Sequence, residues 1–116
     1  MDPIASLEAL LARGQDGATL RYALASRYLA AGDAESACRH AEVAVALDPD
    51  YSAAWKLLGG ARAKADRPAD AAAAYERGIA VAERCGDVQA AKEMRVFLKR
   101  LRAAGAPPSG APGGEG

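Results

Sequence analysis

Aromatic residues are scarce in this chain. They make up 5% of it, with one tryptophan and one phenylalanine. A core with so few rings has to close on small side chains, and alanine is the commonest residue. Alanine has the best helix propensity and loses no side-chain entropy on folding, so the composition favours helices that approach one another closely. Long apolar runs are missing too. No stretch approaches 18 consecutive apolar residues, so no membrane-spanning helix is expected. The first fifteen residues carry Asp2 and Glu8 and no base before Arg13, which is not the pattern of a secretory leader; the expected location is the cytoplasm. Only two cysteines are present, Cys38 and Cys85, far apart and without CxxC or metal-ligand spacing. The reading for them is that of small buried hydrophobes. The one histidine, His40, lies two residues from Cys38, so on a helix the two point in different directions and no metal site is expected.

Catalytic patterns are equally lacking. No Gly-rich phosphate loop follows a strand, and no strand is predicted. Ser26 and Cys38 have no recognisable His and acid partners. The expectation is a protein without enzymatic activity, cofactor or metal. Net charge is zero, but residues 1–50 hold 4 basic and 8 acidic side chains, and residues 51–116 hold 11 and 7. That polarity bears on partners rather than on fold. The neutral balance and the absence of a recognition motif argue against nucleic acid.

What the chain does have is helix punctuation. Its 116 residues, 51% of them apolar, have room for one domain. Asp2 and Pro3 can start a helix that Gly14 stops, with Ile4, Leu7, Leu10 and Leu11 on one face. An apolar run from Leu20 to Ala31 ends at Gly32, and Asp33 caps a helix running to about Leu47. Asp48-Pro49-Asp50 breaks the chain, since proline disfavours helix in the residue before it and lacks a donor. Helices follow from about Ser52 to Ala65, Ala69 to Arg84 and Val88 to Ala103, separated by Arg67-Pro68 and Gly86-Asp87. Residues 105–116, GAPPSGAPGGEG, read as a disordered Pro/Gly-rich tail.

Six helices joined by short turns call for a search for a period. A shift of 34 residues aligns Leu24-Ala25 with Leu58-Gly59, Ala37 with Ala71, Ala44 with Gly78 and Val45 with Ile79. Small residues recur at the positions where neighbouring helices would pack. Residues 52–85 resemble the tetratricopeptide repeat through Trp55, Leu58-Gly59, Ala71 and Tyr75, with Gly78 where Ala is usual. Residues 18–51 resemble it through Leu24, Ala25, Tyr28, Gly32-Asp33, Ala37, Ala44 and Leu47-Asp48-Pro49. Departures are Arg21, Ala41 and Arg62, where aromatics are common. The two repeats cover 68 of the 116 residues.

The resemblance implies an all-α, right-handed solenoid of helical hairpins. One domain is expected over 1–104, with repeats at 18–51 and 52–85, an N-terminal helix at 3–13 and a capping helix at 87–104. The last helix fits as a first helix of a repeat if two residues are inserted before it, and Arg95 then stands where Ala25 and Gly59 stand. A large charged residue there implies that no partner helix follows, and Lys92, Arg95, Lys99, Arg100 and Arg102 supply a polar end face.

In the family the first helix of each repeat lines a concave groove. Carried over, the groove positions are Tyr22, Ser26 and Leu29, then Lys56, Gly60 and Lys64, then Lys92, Val96, Lys99 and Arg100. One end is apolar and the other basic. The implied function is an adaptor or scaffold that binds a segment of another protein, one with acidic character. The rival reading is a homo-oligomerising structural protein, or a non-catalytic subunit of a larger complex. Family co-chaperones grip the C-terminal carboxylates of heat-shock chaperones with a clamp of Lys, Asn and Arg; this chain has no asparagine, so that grip is not carried over.

Overall fold

Asp2 accepts a hydrogen bond from the Ile4 amide and Pro3 occupies the first helical position, so α1 (Pro3–Ala12) starts with its free donors served. Asp33 does the same for the Ser36 amide at the head of α3 (Ala34–Leu47). Between them lies α2 (Ala18–Ala30), and α4 (Ser52–Lys64), α5 (Pro68–Cys85) and α6 (Val88–Gly105) follow. The computed structural model describes residues 2–105. The tail expected at 105–116 lies outside the described residues except for Gly105, which closes α6.

The turns repeat as the sequence does. Gly32 ends the α2 turn at φ 86°, and Asp66, 34 residues on, holds the same left-handed region at φ 62°. Trp55 donates its indole N–H to the Pro49 carbonyl at 2.8 Å, which ties α4 to the break before it. Trp55 is half-buried, with the Arg77 guanidinium 5.4 Å from its ring centroid.

The helices pack as antiparallel hairpins set side by side. Each touches its neighbours in sequence, and α2 touches α4 as α4 touches α6. The result measures 56 × 31 × 19 Å. Alanine makes the close approaches: Ala25, Ala37, Ala41, Ala44, Ala54, Ala61, Ala71 and Ala82 are all fully enclosed. Larger side chains fill what is left, with Leu24, Leu58 and Met94 the largest among them. Cys38 is buried and Cys85 is exposed, so the expectation of two buried cysteines holds for one; Cys85 ends α5, where the neighbouring Gly86 turns the chain away at φ 78°.

Packing alone holds α1 loosely, for none of its residues is fully buried. A polar cluster adds to it. The Tyr28 hydroxyl donates to Glu8 Oε2 at 2.5 Å, and His40 stacks on Tyr28 with ring centroids 5.4 Å apart and planes 4° off parallel. Arg21 donates to both oxygens of Asp16 and places a guanidinium nitrogen 3.1 Å from His40 Nδ1. An arginine cannot accept, so Nδ1 accepts and the imidazole is neutral, its Nε2–H directed at Glu8 Oε2, 3.6 Å away. Burial lowers the His40 pKa from its ordinary value; Glu8 opposes this, while Arg21 and Arg39 reinforce it.

A depressed imidazole pKa means that the unfolded chain binds the proton more readily. Stability from this group is therefore present above the ordinary pKa of about 6.5 and lost as pH falls through the lower folded value. Urea midpoints should drop between pH 7.5 and 5.5 in the wild type and drop less in His40→Phe. Identical slopes in the two proteins would assign the acid sensitivity to other groups.

Candidate binding groove

Because α4 neighbours both α2 and α6, the exposed faces of the three helices adjoin along α4. Tyr22 and Leu29 stand two turns apart on α2; Ala53, Lys56, Leu57 and Gly60 occupy one face of α4; Phe97 comes from α6. Together with Tyr75 they line an open apolar cavity of about 270 Å³. The Tyr22 ring leans on Tyr51 at 5.1 Å, and Phe97 leans on Tyr75 at 5.9 Å, both tilted as aromatic pairs prefer.

Tyr75 belongs to α5, the helix behind α4, and reaches the cavity by crossing under a glycine. A Cβ on Gly59 would lie under 3.0 Å from three carbons of the Tyr75 ring. Gly60 is different: a Cβ there would meet only the Tyr75 hydroxyl, at 3.7 Å, an ordinary contact. Gly78 repeats the first case, its would-be Cβ 2.8 Å from Trp55 Cβ and close to the Met94 sulfur. That crowding accounts for glycine where the repeat pattern usually has alanine.

Charge sits at the mouth. Lys56 Nζ donates to Glu93 Oε1 at 2.6 Å, and Gln89 donates to the other oxygen at 3.1 Å. The Lys56 hydrogen bond holds the Glu93 carboxyl below its usual pKa. Lys64 lines a second hollow of about 230 Å³ with Leu29, Ala30, Gly32 and Ala34, so the two hollows share Leu29.

The structure thus gathers Tyr22, Leu29, Lys56 and Gly60 around one cavity and Lys64 beside it. Ser26 is half-buried on α2 and does not line the cavity. Lys92, Val96, Lys99 and Arg100 are exposed on α6 and do not line it either. Lys56, expected at the basic end of the groove, is held by Glu93. The physical reason is the rotation of α6: Gln89, Glu93 and Phe97, spaced by one turn each, are the side chains it turns toward α4. Sequence reasoning missed Leu57, Tyr75, Glu93 and Phe97. The doublet Gly59-Gly60 inside an alanine-rich helix signalled that something bulky crosses there, and Phe97 is the only phenylalanine.

Known proteins share this architecture. The tetratricopeptide repeat family model matches residues 18–61. The TPR repeat-containing protein PA0015 of Pseudomonas aeruginosa is 53% identical over 98 residues, covering 84% of this chain and 93% of that protein. The chain belongs to the tetratricopeptide repeat family. The solution structure of protein BPP2914 from Bordetella parapertussis superposes with a TM-score of 0.79 at 38% identity, covering 90% of each chain. Part of the chain is also similar to the heat-shock protein cognate co-chaperone sgt12 of Aspergillus fumigatus, 46% identical over 55 residues, which is 47% of this chain and 16% of that protein. The family suggests protein–protein interaction, and its repeats are generally non-catalytic. Among the described residues no helix is long and apolar enough to cross a membrane, and no three His, Cys, Asp or Glu side chains gather as a metal site.

The two glycines make opposite forecasts. Gly59→Ala should cost about 1–3 kcal/mol by overpacking on Tyr75, despite its better helix propensity. Gly60→Ala should raise stability by about 0.5–1 kcal/mol, because the new methyl has room. Denaturant midpoints of the two variants check this, and destabilisation of both would place Tyr75 elsewhere.

Proposed function

We propose that this tetratricopeptide repeat protein is a non-catalytic adaptor that holds a segment of another protein in the groove formed by α2, α4 and α6. The observation that supports it is the apolar cavity walled by Tyr22, Leu29, Leu57 and Phe97, contributed by three separate helices. Open apolar surface of this kind, rimmed by polar groups, is what a recognition site presents. In this reading repeats 18–51 and 52–85 and their flanking helices work as one domain, and the groove residues are those named above from Tyr22 to Arg100. Free Cys38 and Cys85 suit the reducing cytoplasm.

The partner segment carries acidic residues beside an apolar anchor. Lys64 makes no ion pair among the described residues, nor do Lys92, Lys99 and Arg100 on the adjoining α6 surface. Each exposed cation is worth little alone, about 0–1 kcal/mol, and their joint effect falls on association rate. The match to sgt12 covers a small part of that protein, so its co-chaperone role is not transferred.

Gly60 offers a clean test. Gly60→Leu should fill the cavity without disturbing the helices, since space lies above that position. With the partner identified by affinity capture on the wild-type chain, calorimetry should show binding weakened at least about tenfold in Gly60→Leu, with an unchanged or higher melting temperature. Equal affinity would move the binding surface away from the cavity. Charge reversal of Lys64, Lys92 and Arg100 together should slow association at low salt, and the difference should shrink at high salt.

A further inference from the structure

Tyr75 is 5% exposed, and its hydroxyl is the one polar side-chain group on the cavity besides the Tyr22 hydroxyl and Lys56. It makes no hydrogen bond among the described residues, and burial alone pushes its pKa up. The buried polar side chains elsewhere are served: Ser36 donates to Asp33 at 2.7 Å and His40 meets Arg21 at 3.1 Å. A phenylalanine would pack beneath Gly59 as the Tyr75 ring does, so packing gives no reason for the oxygen. The ring crosses under Gly59, and its hydroxyl end comes nearest to Gly60, which lines the cavity. The oxygen therefore lies at the floor of the groove with its hydrogen-bonding capacity unused.

We propose that the Tyr75 hydroxyl is a recognition group, and that the cavity takes the side chain of a tyrosine from an acid-flanked partner segment. The proposal rests on the groove reading above and names what fills it. Apolar walls of Leu29, Leu57 and Phe97 call for an apolar body, and the cavity of about 270 Å³ suits one side chain rather than a whole helix. The floor calls for an uncharged polar tip. A hydroxyl both donates and accepts, so it pairs with a phenol in either direction. A carboxylate tip is disfavoured, because Lys56, the cation on the lining, already holds Glu93 at 2.6 Å. An aliphatic anchor would seal the Tyr75 oxygen away from water without a partner. The acidic flanks follow from Lys64, which lines the adjoining hollow, and from the exposed cations Lys92, Lys99 and Arg100 of α6, the helix that supplies Phe97.

Two synthetic probes test this: an acid-flanked pentapeptide with a central tyrosine, and its phenylalanine counterpart. Affinities are measured by nuclear magnetic resonance titration of the full chain. The tyrosine peptide should bind the wild type about three- to tenfold more tightly than the phenylalanine peptide. In Tyr75→Phe that ratio should collapse to about one, with the phenylalanine peptide bound as before. An unchanged ratio in Tyr75→Phe, or no preference in the wild type, would overturn the proposal and assign the hydroxyl to water, while the groove reading would stand. If neither peptide binds the wild type, or if Gly60→Leu binds both as well as the wild type does, the groove reading fails with it. The wild-type comparison needs no variant to fold, and the melting curve of Tyr75→Phe verifies the rest.

Discussion

Tyr75 crosses beneath Gly59, and the hollow between α2, α4 and α6 depends on that crossing. With a side chain at position 59, α4 and α5 would stand further apart and the ring would be forced off its path. With glycine there, the ring spans from the second helix of the hairpin to the face of the first. The same economy of size runs through the stack. Ala25, Ala37, Ala71 and Gly78 bring backbones close, so few large side chains are needed inside. Tyr22, Leu57 and Phe97 are left half-buried along α2, α4 and α6, which is where the groove lies. A core of small residues and a groove of large ones are two sides of one packing solution.

Charged side chains follow a division of labour between arginine and lysine. Arg62 pairs with Glu42, Arg67 with Glu35, Arg84 with Asp50, Arg95 with Glu83 and Arg102 with Glu76, each linking one helix or turn to another. The planar guanidinium suits such fixed pairing. Of the lysines, Lys56 alone is paired among the described residues. The pairs are exposed and individually weak, so they trim the stack rather than hold it. Arg95 meets Glu83, a further tie between α6 and α5.

The helices were legible because their boundaries are local chemistry. Asp2-Pro3, Gly32-Asp33, Asp48-Pro49 and Gly86 each stop or start a helix by themselves, with no help from the rest of the fold. The 34-residue period then made the stacking legible, since it recurs at Leu24 and Leu58. The groove was legible only where the period reaches. Tyr22, Leu29, Lys56 and Gly60 follow the repeat, and they meet at the cavity. Phe97 and Glu93 do not, because α6 belongs to no complete repeat and its rotation is set by packing of Ala90, Ala91, Met94 and Leu98 on α5. Tyr75 escaped for another reason: it sits on a second helix, and only a three-dimensional crossing brings it forward. His40 looked idle in the sequence, for Glu8, Arg21 and Tyr28 lie far from it along the chain.

Contacts in this molecule never join helices more than two apart in order, among the described residues. Such a chain has no centre whose loss brings everything down at once. Its cooperativity is that of a row, in which each hairpin leans on the next and the ends have one neighbour instead of two. The first helix, with no fully buried residue, is the weaker end. Pulling on the chain, or exposing it to a protease, would therefore peel α1 away while the row from α2 to α6 still stood, leaving the groove intact after the N-terminal end had opened.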